Sequence, residues 1–142
     1  MLTNEQIEQF ITDGYVRVEQ AFSRELADRC RKIFWADTGC DPDDCSTWKK
    51  PVIRTPDHSE PPFVQAANTR KLRTAFDQLV GQGRWQPRFS SGYCIVRFPI
   101  NEDPGDTGWH IDSSFPGEDS DPNDYSTWCI NIHSRDRALL ML

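Results

Sequence analysis

The chain has 142 residues, a length that suits one domain with a real core and is short for two. Its 22 acidic residues against 16 basic ones leave a formal charge of −6. That balance argues against a nucleic-acid backbone or an anionic membrane surface as a partner. The longest apolar run, Ala138-Leu139-Leu140-Met141-Leu142, is far short of the roughly 20 residues that span a bilayer. The opening Met1-Leu2-Thr3-Asn4-Glu5 lacks the basic-then-apolar order of a signal peptide. Five cysteines, an odd number, then read as reduced thiols in a cytoplasmic protein. Five Trp and eight Phe give this polar chain enough aromatic surface to anchor a core.

The first helix is signalled by Thr3 and Gln6, spaced as a capping box, with Leu2 and Ile7 as the flanking apolar pair. Ile7, Phe10 and Ile11 share one helical face, and Asp13-Gly14 stops it. Tyr15-Val16-Arg17-Val18 alternates and predicts a short strand, closed by Ala21-Phe22. Ser23 caps a second helix whose apolar stripe is Leu26, Ala27, Cys30, Ile33 and Phe34. An acidic loop from Asp37 to Thr47 follows, then a strand over Pro51–Thr55. Pro61-Pro62 opens a turn through Ala66-Ala67, and Leu72, Ala75, Phe76, Leu79 and Val80 mark a third helix stopped by Gly81. Beyond Trp85 the period changes. Strands are expected over Gly92–Phe98, Gly108–Ser113 and Ser126–His133, with a fourth beginning in Arg137–Leu142. Helices come first and strands second, so the chain reads as α+β.

The chemistry is concentrated in Trp109-His110-Ile111-Asp112. On a strand, residues i and i+2 face the same side, so His110 and Asp112 project together. An imidazole beside a carboxylate supplies two ligands to a divalent metal. Two histidines and one carboxylate on one face mark non-haem Fe(II) oxygenases. A His-x-Asp tripeptide alone is a weak signal, and its bland counterpart is a hydrogen-bonded pair at a strand end.

Four stretches carry a family resemblance: Leu2-Thr3-x-x-Gln6 with Asp13-Gly14-Tyr15-Val16, Ala21-Phe22-Ser23, Gly108-Trp109-His110-Ile111-Asp112, and Trp128-x-x-Asn131. With these the chain resembles the phytanoyl-CoA dioxygenase family of Fe(II)/2-oxoglutarate-dependent oxygenases, over essentially its whole length. The resemblance implies N-terminal helices, about 1–85, packed on the first strands, about 86–142, of a double-stranded β-helix, a jelly-roll or cupin-like barrel, in one domain. It implies His110 and Asp112 as metal ligands, Fe(II) and 2-oxoglutarate as cofactor and co-substrate, ascorbate as reductant, and hydroxylation of a small organic substrate. Trp128 resembles the tryptophan lining the 2-oxoglutarate pocket. Arg54 lies near the place of a family lysine that contacts the co-substrate, a task a guanidinium performs bidentately.

The chain departs from that pattern where it stops. The family's distal His and its 2-oxoglutarate Arg have no counterparts before Leu142, so the chain is expected to be an N-terminal portion, inactive by itself. His133 as the third ligand would lie on the very next strand, where the barrel's order does not place it; a solvated strand-end histidine is the plainer reading. Two rival readings follow: a non-catalytic cupin-like binding module, and an oligomer in which a second copy completes the barrel and donates His133. An open sheet edge favours self-association in either case. The remaining signals are weaker. His58, among Pro, Asp, Ser and Glu, reads as a surface residue, and Cys40 and Cys45 as loose thiols. Asp119-x-Asp121-x-Asn123 mimics a calcium loop but lacks its Gly and bidentate Glu. Arg54 and Arg97 each alternate with apolar neighbours.

Overall fold

A computed structural model describes residues 1–108, 115–119, 121, 123–124, 127–129 and 139–141. The chain divides into two compact units, Met1–Pro104 and Gly105–Leu142. Among the described residues the architecture is α+β, with two separate two-stranded antiparallel sheets. None of the helices is long and apolar enough to cross a membrane.

In the first unit, α1 (Asn4–Asp13) begins as its sequence dictates. The Thr3 side chain accepts from the Gln6 N–H, and the Gln6 side chain accepts from the Thr3 N–H, which satisfies two orphan donors at once. Gly14, at φ 80°, takes the left-handed turn and donates to the Phe10 carbonyl. Leu2 is buried at 6% exposure and its backbone is clasped by the Gln78 amide from both sides, at 2.8 and 3.1 Å. Ile11, in contrast, is 69% exposed and leaves the apolar face expected of it.

The expected strand at Tyr15–Val18 does not form. The backbone from Arg17 to Ala21 finds side-chain partners instead: Gln6 Nε2 donates to the Arg17 carbonyl, Lys71 Nζ to that of Glu19, and Thr69 Oγ1 to that of Ala21. The stretch is thereby fastened to α1 and to Thr69 and Lys71, and it turns at Gln20, a non-glycine residue at φ 49°.

α2 (Arg24–Thr38) is capped by Ser23, whose hydroxyl accepts from the Leu26 N–H, and ends at Gly39 with φ 66°. It packs against both β1 (Val52–Thr55) and α3 (Pro61–Ala67). The acidic loop behind it is built from its own carboxylates. Asp41 accepts from the Asp43 N–H and Asp44 from the Ser46 N–H, which starts a single 3-10 turn at Cys45–Thr47. The Trp48 indole N–H, donating to the Asp41 carbonyl at 2.8 Å, closes the loop.

β1 (Val52–Thr55) pairs antiparallel with β2 (Cys94–Arg97) in the register Val52↔Arg97, Ile53↔Val96, Arg54↔Ile95, Thr55↔Cys94. Thr55 is 2% exposed, with its hydroxyl donating to the Cys94 carbonyl. Arg54, Ile95 and Arg97 are exposed, as the two-residue alternation of a half-buried sheet requires. Where a turn is expected, α3 (Pro61–Ala67) is a helix. Its two prolines occupy the first turn, where a missing N–H costs nothing. α4 (Arg70–Val80) is capped by the Thr69 hydroxyl and closed by Gly81. The core comprises Leu2, Cys30, Phe63, Leu72, Ala75 and Phe98, with Trp35 and Trp48 against Phe98 at ring separations of 5.8 and 5.3 Å.

In the second unit β3 (Phe115–Pro116) pairs antiparallel with β4 (Trp128–Cys129). Asp121 folds the intervening loop: its carboxylate accepts from the Asn123 N–H and its carbonyl from the Asp124 N–H. That is an Asx turn. Of the strand expected at 126–133, residues 128–129 are seen as strand; residues 139–141, in the expected fourth strand, are not.

Candidate functional site

The residues singled out from the sequence are distributed as follows. His110 and Asp112 lie outside the described residues, as does His133. Trp128 is on β4, half-buried, opposite Pro116. Arg54 is at the middle of β1, exposed, opposite Ile95. It shares the outward face of its sheet with Arg97, which stands opposite Val52. All five cysteines are free. Among the described residues, no group of three or more His, Cys, Asp or Glu side chains could hold a metal ion.

The most elaborate polar arrangement in the described structure is centred on a residue expected at the surface. His58 is 6% exposed, and this corrects the expectation. Its ring is held at four points. Nε2 meets Asp37 Oδ2 at 2.6 Å, and Nδ1 meets both oxygens of Glu60, at 3.1 and 3.2 Å. One face stacks on Phe63 with centroids 4.8 Å apart and planes 12° from parallel, and Phe34 meets the ring edge-on at 5.6 Å. The His58 backbone is equally fixed: its N–H donates to Ser91 Oγ, and its carbonyl accepts from the Ser91 N–H at 2.8 Å.

Local sequence explains each placement. Asp37 follows Cys30, Ile33 and Phe34 at helical spacing, so it lies at the end of the buried stripe of α2. Pro56 forces the chain out of β1. Asp57 then turns it by accepting from the Gly92 N–H at 2.7 Å. Glu60 is the residue preceding the first turn of α3, and Phe63 is buried inside that helix. The ring is thus held between α2 and the start of α3, and its backbone is tied to the segment entering β2.

The electrostatics favour an imidazolium. Burial alone would pull the His58 pKa down, but hydrogen bonds to Asp37 and Glu60, with their charges, outweigh it and leave the pKa raised from 6.5. Glu60 moves the opposite way, below 4.5, through its own backbone N–H first and His58 second. The Asp57 carboxyl is held below 3.8 by the Ser90 hydroxyl, the Gly92 N–H, the Ser91 hydroxyl and the Arg88 charge, against a burial effect that raises it. Both ring nitrogens face carboxylates, so neither is turned toward a metal or a substrate. The group is a strut between α2 and the start of α3.

Sequence reasoning passed over this strut, although one signal was present. A carboxylate on an apolar helical stripe, as at Asp37, calls for a buried cationic partner. In comparisons with known proteins, no family model, no curated protein and no solved structure matches the chain.

Proposed function

We propose that the chain carries the proximal part of the metal site of an Fe(II)/2-oxoglutarate-dependent dioxygenase of the phytanoyl-CoA dioxygenase type. In that reading it hydroxylates a small organic substrate once a third ligand completes the set. The observation that carries the proposal is the Trp109-His110-Ile111-Asp112 block, an imidazole and a carboxylate at i and i+2. This donor set suits a first-row divalent ion of intermediate softness, which is what Fe(II) chemistry needs. Bound iron would supply the coupling of 2-oxoglutarate decarboxylation to C–H hydroxylation, and the protein would supply ligation, orientation and water exclusion. The antiparallel pairing of β3 with β4 supports the reading, because it sets Trp128 opposite Pro116, four positions beyond Asp112 in the chain. In this proposal Trp128 lines the co-substrate pocket, Arg54 receives a 2-oxoglutarate carboxylate, and the strands belong to a jelly-roll barrel on which the N-terminal helices pack.

The experiment is anaerobic equilibrium dialysis against Fe(II), with His110→Ala and Asp112→Ala as comparisons. The chain should retain about one iron, as expected for a single site, and each substitution should lower retention at least tenfold. Equal retention by all three proteins would remove the proposal. With Fe(II), ascorbate and 2-oxoglutarate in air, the chain alone should release no more than a trace of succinate.

One observation favours a second reading. Among the described residues each sheet has two strands, and a closed barrel needs more than that, which a second copy would supply. If a second copy completes the barrel and contributes His133, sedimentation will show a dimer, and succinate release will be sustained and lost in His133→Ala. A monomer that melts cooperatively and ignores Fe(II) would instead fit a non-catalytic binding module.

A further inference from the structure

We propose that His58 is a proton-operated latch, fastening Asp37 at the C-terminal end of α2 to the Asp57–Glu60 segment and, through Ser91, to the chain entering β2. The geometry carries the inference. A doubly protonated imidazole donates one N–H to each carboxylate, which satisfies both contacts. A neutral ring has one N–H, so one of its nitrogens must present a lone pair to a carboxylate oxygen. At 6% exposure the buried ring is poorly screened from that repulsion. The two arms are unequal: the Asp37 side chain is 21% exposed and the Glu60 side chain 50%. Deprotonation therefore releases the Glu60 arm to solvent, and the shorter Nε2–H bond to Asp37 persists.

The other elements around the ring supply no competing titration. Phe34 from α2 and Phe63 from α3 are apolar contacts. From the segment before β2 the contact is Ser91. Asp57, beside His58 in the chain, is occupied by Gly92, Ser90 and Ser91, with the Arg88 charge nearby. The raised pKa of His58 agrees with the closed latch holding its proton. Raising the pH opens the latch, because the closed state binds the proton more tightly than the open one.

The readout is amide hydrogen exchange at Ser91 and His58, whose N–H groups are both part of the clasp, followed by NMR between about pH 6 and 9 and corrected for intrinsic rates. Above 6.5, the ordinary value of the group, the opening constant should climb toward about tenfold per pH unit until the folded-state pKa is passed. His58→Gln, which cannot carry the charge, should give a flat profile. Glu60→Gln alters a half-exposed side chain and should move the climb to lower pH with the fold intact. A flat profile in the parent chain, or an unchanged climb in His58→Gln, would overturn the latch. Should His58→Gln fail to fold, an unshifted climb in Glu60→Gln overturns it equally.

Discussion

Two residues govern how the first unit responds to its surroundings, and they do so for different reasons. His58 sits where both its nitrogens need protons, whereas Glu60, Asp57 and Asp44 sit where their carboxylates accept hydrogen bonds. The signs of the two effects are opposite. A raised histidine pKa stabilises the fold fully below its unfolded value, and that contribution is lost as pH rises through the folded value. Lowered carboxylate pKa values stabilise the fold above their unfolded values, and that contribution is lost as pH falls through the folded ones. Urea-unfolding stability should therefore peak between the ordinary glutamate value of 4.5 and the ordinary histidine value of 6.5. In His58→Gln the alkaline decline should flatten while the acid one remains. Gln20 is the other governing residue, held at φ 49° in a turn where its Cβ is unfavourable. Relief of about 1–2 kcal/mol against about 0.5–1 kcal/mol of added chain entropy predicts that Gln20→Gly stabilises the protein by roughly half a kcal/mol. A higher urea midpoint at unchanged slope would show it.

Helix ends distinguish the elements. Thr69 and Ser23 both cap helices through their hydroxyl oxygens, but the Thr69 hydroxyl also donates to the Ala21 carbonyl at 2.6 Å. Ser23→Ala should cost about 1 kcal/mol. Thr69→Ala should cost about 2 kcal/mol, because a part-buried carbonyl loses its partner as well; equal costs would contradict a dual role for Thr69. Phe98, 7% exposed between Trp35 and Trp48, should cost about 3–5 kcal/mol as Phe98→Ala, read from the same unfolding curves. These elements also show how far a sequence can be read. Both ends of α1, the start of α2 and the end of α4 were legible because Thr3, Gly14, Ser23 and Gly81 act within a turn of where they stand. β1 and β2 were legible from their alternation and their flanking prolines. The segment at Tyr15–Val18 has the same alternation and is not a strand; the Arg17 carbonyl and those of Glu19 and Ala21 just beyond it are taken by the Gln6, Lys71 and Thr69 side chains. α3 was hidden by its two prolines, which suit a first turn as well as a loop. His58 was hidden because its partner Asp37 is 21 residues away.

At the scale of the whole molecule, the helical first unit and the second unit carry different parts of the account. The first contains the His58 strut and Arg54, and the second contains β3, β4 and Trp128. The central claim rests on the second unit's His-x-Asp block, and its most direct test is where a divalent ion settles on the chain. Mn(II), a redox-quiet stand-in for Fe(II) with similar ligand preferences, broadens the NMR signals of nuclei close to it. Titrated at substoichiometric concentration, it should erase the signals of His110, Asp112 and their chain neighbours first, and that selectivity should vanish in the His110→Ala, Asp112→Ala double variant. Broadening that begins instead at the acidic loops 41–44 or 118–124, and is unchanged in the double variant, would contradict the metal site and with it the dioxygenase reading.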